Sequence, residues 1–132
     1  ELLREAGLLY DCSFGYADCA GFRNGMCHPF RPFNLNTGKI IDIMEIPLVL
    51  MDNSLGFKYM RLDTSTSWDI TRRLIDAVAA CHGVITLLWH NTTLVDEQPA
   101  FYEKILHYCA EKNAWMTSGE EIFSWVNKNN PI

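Results

Sequence analysis

The feature that most constrains this chain is a helix-length amphipathic stretch running straight into a strand-length apolar one. Ile70, Leu74, Ala77, Val78 and Cys81 recur at helical spacing and give one apolar face. Thr66 with Asp69 makes a capping-box-like start for that helix, and Gly83 stands behind it as a C-terminal cap. Val84-Ile85-Thr86-Leu87-Leu88-Trp89 follows at once. A continuous run of this kind is typical of a strand covered on both faces, and a covered strand belongs in a parallel sheet flanked by helices.

The same grammar recurs on either side. Leu8-Leu9-Tyr10 reads as a short buried strand ending at Asp11. Residues 12–38 are rich in Gly, Pro, Asn and Phe and read as a long ordered loop, a length that usually serves function. Residues 39–51 are strand-like, with Pro47 splitting them into an edge piece and a second strand that ends at Asp52. Asp96 and Pro99 open a further helix with Tyr102, Ile105, Leu106 and Cys109 facing inward. Ala114-Trp115-Met116 reads as a short strand. Ser118 and Glu121 then form a capping box for a last helix carrying Ile122, Trp125 and Val126. The order strand, loop, strand, helix, strand, helix, strand, helix predicts an α/β fold with parallel strands and crossover helices.

A doubly wound sheet and part of a β/α barrel both fit that order. The chain opens on Glu1 and Leu2-Leu3-Arg4-Glu5-Ala6-Gly7, which reads as the last turns of a helix capped by a left-handed Gly7. That opening and the short strands favour a partial, distorted β/α barrel whose N-terminal half is missing. Residues 1–132 are then the C-terminal portion of one domain. Half a barrel leaves open strand edges, so self-association of the chain is expected.

Composition narrows the partners. Hydrophobic residues make up 48% and charged residues 20% of the 132, an ordinary globular balance. The net charge is −5 and no Lys/Arg run exists, which argues against nucleic acid or an anionic membrane surface as a partner. No apolar run approaches the roughly 20 residues of a membrane helix. Five cysteines at irregular spacing do not look like a disulfide framework and favour a reducing, cytoplasmic-type compartment. Cys81 and Cys109 fall on apolar helix faces and read as core thiols. Cys12, Cys19 and Cys27, with His28, contain no CxxC pair, which weakens a zinc reading.

Three predicted strands end in a residue with chemical potential: Asp11, Asp52 and His90. Sites in parallel β/α folds gather at the C-terminal ends of strands, so the three are expected on one rim. Each could also be a plain turn former. Arg23 sits in Gly21-Phe22-Arg23-Asn24-Gly25, where a loop arginine can reach over a site and fix a carboxylate in bidentate geometry, or can simply be solvated.

Gly21-Phe22-Arg23 with Pro29-Phe30, then a strand ending in Asp52, then Leu87-Leu88-Trp89-His90 resembles the C-terminal half of a polysaccharide deacetylase domain, the metal-dependent carbohydrate esterase group. Tyr10-Asp11-Cys12-Ser13 is similar to a strand-end signature preceding the arginine loop in a bacterial subgroup. The resemblance implies a distorted β/α barrel that hydrolyses N- or O-acetyl groups from sugars or polysaccharides. It implies a divalent metal, usually zinc, in the full-length parent, held by one Asp and two His, with a second Asp as base. Those residues lie in an Asp-Asp pair and a His-x-x-x-His, and this chain has neither; its histidines are His28, His82, His90 and His107. No metal is therefore expected in this chain, which by itself should be inactive.

What carries over by resemblance is the acid side of the site. Arg23 would orient the base, Asp52 would tune the general acid, and His90 would protonate the leaving group. The family's Asp-x-x-Asp-Trp form is not present around Asp52. Aromatic residues near that rim, Trp89, Phe30 and Phe33, have the shape to stack on a sugar ring and equally to be plain core, and Asp11 is expected beside the substrate. The other classes of reading are a non-catalytic saccharide-binding or structural domain of related fold, and a hydrolase using Cys12 or Ser13 as nucleophile with His90 and Asp52. Neither Cys12 nor Ser13 lies in a nucleophile elbow.

Overall fold

The computed structural model describes residues 1–56, 58–96 and 98–129. Its spine is the extended run at 44–51, split at Pro47 into β4 (Met44–Glu45) and β5 (Leu48–Met51). Ile46, Val49 and Leu50 along it are buried. Proline has no N–H to give a ladder, and the spine changes partner at that point. Before it, β1 (Tyr10–Asp11) pairs parallel with β4, Tyr10 opposite Met44 and Asp11 opposite Glu45. After it, β6 (Thr86–Leu88) pairs parallel with β5, with Met51 opposite Leu88 and an irregularity between Leu48 and Leu50. A separate antiparallel hairpin joins β2 (Phe33–Asn34), inside the expected long loop, to β3 (Lys39–Ile40), at the start of the expected strand run. The Asn34 side chain accepts the Asn36 and Thr37 N–H groups and closes its turn.

The α/β character and the parallel pairs follow the expectation. Among the described residues the strands form three two-stranded sheets and no closed barrel. Ala114, Trp115 and Met116 form no strand, and Trp115 and Met116 are exposed. The expected cover on both faces of the 84–89 run also fails: β6 is half-buried at Thr86 and Leu87 and exposed at Leu88. Leu8 and Leu9 are exposed, so the first strand is buried only in part.

The helices are α1 (Leu2–Glu5), α2 (Asp52–Leu55), α3 (Thr64–Ala80), α4 (Gln98–Glu111) and α5 (Gly119–Asn129). Gly7 takes the left-handed conformation expected of it, at φ 84°. α3 begins earlier than Thr66, because Asp63 is the cap: its carboxylate accepts the Thr66 N–H at 2.8 Å and the Thr66 hydroxyl at 3.0 Å. Its buried face is Ser67, Thr71, Ile75 and Val78, rotated from the expected one, which it shares only at Val78. His82, not Gly83, takes the positive φ behind it, at 53°. Cys81 is exposed, while Cys109 is a core thiol as expected.

On α4, Phe101, Ile105 and Cys109 are buried; with Leu50, Leu55 and Ile75 they form the core between sheet and helices. The α5 capping box forms as read: Glu121 accepts the Ser118 N–H at 3.0 Å and Ser118 Oγ accepts the Glu121 N–H at 3.3 Å. α5 lies on β1 with Phe123 against Tyr10, ring centroids 5.9 Å apart. Among the described residues no helix is long and apolar enough to cross a membrane.

Candidate functional site

The register of β5 on β6 builds the site. With Met51 opposite Leu88, the chain leaves β5 at Asp52 and leaves β6 through Trp89 to His90, so both emerge at the C-terminal end of one parallel pair. The spine turns at once into α2, and the other chain turns into a 3₁₀ turn at Asn91–Thr93.

Every oxygen of Asp52 is used there. Oδ1 stands 2.7 Å from His90 Nδ1 and accepts the Asn53 N–H at 2.7 Å. Oδ2 accepts the His90 N–H at 2.9 Å and the Thr93 hydroxyl. Burial pushes this carboxyl up, but the hydrogen bonds from Thr93, His90 and Asn53 outweigh it and hold Asp52 below its ordinary value. Asp52 is therefore a buried carboxylate, its side chain 2% exposed, while the His90 side chain is 40% exposed. A carboxylate only accepts, so His90 Nδ1 carries a proton toward it, and Nε2 is the ring atom left for outside chemistry. The Asn53 amide nitrogen stands 3.3 Å from the same Nδ1. Thr93 Oγ1 also stands 2.8 Å from the His90 carbonyl oxygen, on the turn around the ring.

The sequence reading missed Thr93 and Asn53. A threonine three residues past a strand-end histidine is a local signal that it can cap the turn. Nothing local said that its hydroxyl would reach a carboxylate 41 positions away.

Asp11, Arg23 and Phe30 lie elsewhere, whereas Trp89 stays beside the pair. Asp11 lies beside Glu45, seven positions before Asp52 on the extended spine, a separation of up to roughly 23 Å. The three strand ends therefore do not share one rim, because the spine changes partner at Pro47. Asp11 accepts the Ser13 hydroxyl at 2.6 Å, and the Phe14 N–H donates to Glu45 at 3.0 Å. Ser13 and Cys12 make no contact with His90 among the described hydrogen bonds, which leaves the nucleophile reading without geometry. Arg23 lies over the Phe14 ring, 4.7 Å from its centroid, and donates to the Gly15 carbonyl at 3.2 Å. Its described contacts include neither Asp52 nor His90. Phe30 meets Phe14 edge-on at 5.9 Å. Trp89 packs against Phe101 and Tyr102 of α4, centroids 6.1 and 5.2 Å away.

A cavity of about 250 Å³ opens beside Asp52, with Asp63, Ser67, Trp89, Gln98 and Phe101 in its walls. The Trp89 Nε1 is buried with no hydrogen-bond partner among the described residues. Among the described residues, no three His, Cys, Asp or Glu side chains gather where they could hold a metal ion. The donor set here does not fit the zinc centre that the resemblance implies for the parent. Comparison with protein-family models, curated proteins and solved structures finds no match.

Proposed function

We propose that this chain is the acid-bearing portion of a hydrolase that removes acetyl groups from N- or O-acetylated sugars, built as part of a distorted β/α barrel. The observation that carries the reading is the Asp52–His90 pair at the ends of two parallel strands. A buried, fully hydrogen-bonded carboxylate holds His90 through both its backbone N–H and its Nδ1, and Nε2 makes no hydrogen bond among the described residues, on a side chain 40% exposed. That is the arrangement of a positioned general acid: the ring gives an Nε2 proton to the departing amine or alkoxide, and Asp52 holds the ring in place for it. The cavity beside Asp52, with hydroxyl, carboxylate, amide and indole groups in its walls, supports a small polar substrate. In this reading water is activated by the Asp-Asp pair and His-x-x-x-His that the resemblance implies and this chain lacks, so the chain by itself is expected to release no acetate.

The test is acetate release from acetylated chito-oligosaccharides by the whole parent protein. His90→Ala should lower kcat by about 10²–10⁴-fold, the usual worth of a positioned acid. A parent indifferent to the substitution sinks the assignment. The second reading, a non-catalytic saccharide-binding domain, is supported by the same cavity. It is favoured if the oligosaccharide perturbs the Trp89 and Asp52 resonances of a parent that releases no acetate.

Self-association belongs to this reading too. Short strands with free edges and the exposed Phe33, Leu35 and Ile40 of the β2–β3 hairpin are its support. Sedimentation velocity should show a concentration-dependent dimer; a single monomer boundary throughout the micromolar range removes it.

A further inference from the structure

Cys27 and Cys81 stand 54 positions apart in sequence, yet the fold clasps their neighbourhoods together. The Cys27 carbonyl accepts the Val84 N–H at 2.7 Å. The His28 ring reaches back so that its Nε2 lies 3.1 Å from the Cys81 carbonyl oxygen. Cys27 Sγ packs into the space that a side chain at Gly83 would need: a Cβ there would come within 2.3 Å of the sulfur. Burial, then the neighbouring Cys81 thiol, push the Cys27 thiol above its ordinary value. Cys27 is buried and Cys81, at the end of α3, is exposed.

The His28 ring completes the cluster. A carbonyl oxygen can only accept, so Nε2 is the protonated nitrogen of the neutral ring. Nδ1 then carries the lone pair, and it lies 3.8 Å from Cys27 Sγ. An exposed thiol at the end of α3, a buried thiol held against the same turn at Gly83 and Val84, and an acceptor on the buried one are the parts of a two-step exchange.

The geometry points to Cys27 and Cys81 as a thiol modification site, which a small-molecule disulfide of the glutathione class closes into a reversible intramolecular disulfide. The exposed Cys81 thiolate attacks one sulfur of glutathione disulfide, forming a mixed disulfide and releasing one glutathione thiolate. Cys27 then loses its proton to His28 Nδ1 and attacks the Cys81 sulfur, breaking the mixed bond and releasing the second glutathione. Two protein thiols give up two electrons and two protons, and one glutathione disulfide becomes two glutathione thiols. The bond ties the loop that carries Arg23 to the turn between α3 and β6.

The experiment treats the whole, fully reduced chain with glutathione disulfide, blocks the remaining thiols with an alkylating reagent, and maps the peptides without reduction. The expected result is one cross-linked pair carrying Cys27 and Cys81, with Cys12, Cys19 and Cys109 alkylated. The closed form should melt higher by roughly 5–15 °C, and dithiothreitol should reverse the shift. Cys27→Ser should stop the reaction at Cys81 bearing glutathione. Should that variant not fold, Cys81→Ser replaces an exposed residue and should leave Cys27 free under the same treatment. His28→Gln should slow closure about 10-fold without changing the first step. A wild-type chain in which Cys27 stays alkylated, a link to any other cysteine, or Cys27 reacting as fast in Cys81→Ser as in wild type each overturns the site.

Discussion

Two buried carboxyl groups in this molecule respond to pH in opposite directions. Asp52 accepts four hydrogen bonds and sits below its ordinary value, so its contribution to stability is present above the unfolded value near 4 and is lost as pH falls through the lower folded value. Glu45 is 6% exposed, and burial, helped by the Asp11 carboxylate and opposed by the Phe14 N–H, raises it from 4.5 to about 7. The folded state therefore holds a proton that the unfolded chain has released. Stability falls as pH rises from 4.5 to 7, by about 3 kcal/mol for a shift of that size. Glu45→Gln keeps an acceptor for the Phe14 N–H and cannot ionise. Its melting temperature should be nearly flat between pH 5 and 8 and above that of the wild type at pH 8. A variant with the same pH slope as the wild type would place that titration elsewhere.

At the scale of elements, α3 and α4 are joined by a polar clasp outside and a mixed layer inside. Asp76 on α3 accepts from Tyr108 Oη of α4 at 2.8 Å and meets Lys112, in the turn just after α4, at 2.7 Å, and Arg72 lies 3.5 Å away on its own helix. Those groups, Lys112 first and then Tyr108, hold its carboxyl below the ordinary value. Inside, Thr71 is fully buried and its hydroxyl has no hydrogen-bond partner among the described residues. A buried hydroxyl left unpaired costs free energy that a methyl group does not. Thr71→Val is nearly the same shape and should raise unfolding stability by about 1 kcal/mol in urea titration. A loss of stability would show that the hydroxyl has a partner in solution.

Across the whole molecule, order is distributed unevenly. The core of Leu50, Leu55, Ile75, Phe101, Ile105 and Cys109 joins β5, α2, α3 and α4. The β2–β3 hairpin stands outside it: Leu35 is 89% exposed, and Phe33 and Ile40 lie open to solvent. α5 closes on β1, with Gly119 so near Tyr10 that a Cβ would come within 2.7 Å of the ring. Local opening follows burial, so amide hydrogen exchange should be slowest at residues 49–51 and 105–109 and fastest at 33–40. Equal protection of the hairpin and of β5 would mean that the hairpin is covered in solution, which is also what self-association by that face would produce.

The sequence by itself determined the features whose causes lie within a few residues. The 3.6-residue periodicity of α3 and α4, the Ser118–Glu121 box and the left-handed Gly7 were all legible because a cap or a turn is settled by neighbours one turn away. Asp52 and His90 were legible as strand ends for the same reason. Their meeting was not, since it depends on Met51 standing opposite Leu88, a register set by packing between segments far apart in the chain. Tertiary structure also decided which face of α3 is buried, that Cys27 and not Cys81 is the buried thiol, and that Thr93 serves Asp52. It separated Asp11 from Asp52 by giving one extended run two different partners on either side of Pro47. Periodicity marks a segment as a helix or a strand. Which distant group it then meets is fixed only when sheets and helices close-pack, because that contact is a property of two surfaces and is written in neither sequence segment alone.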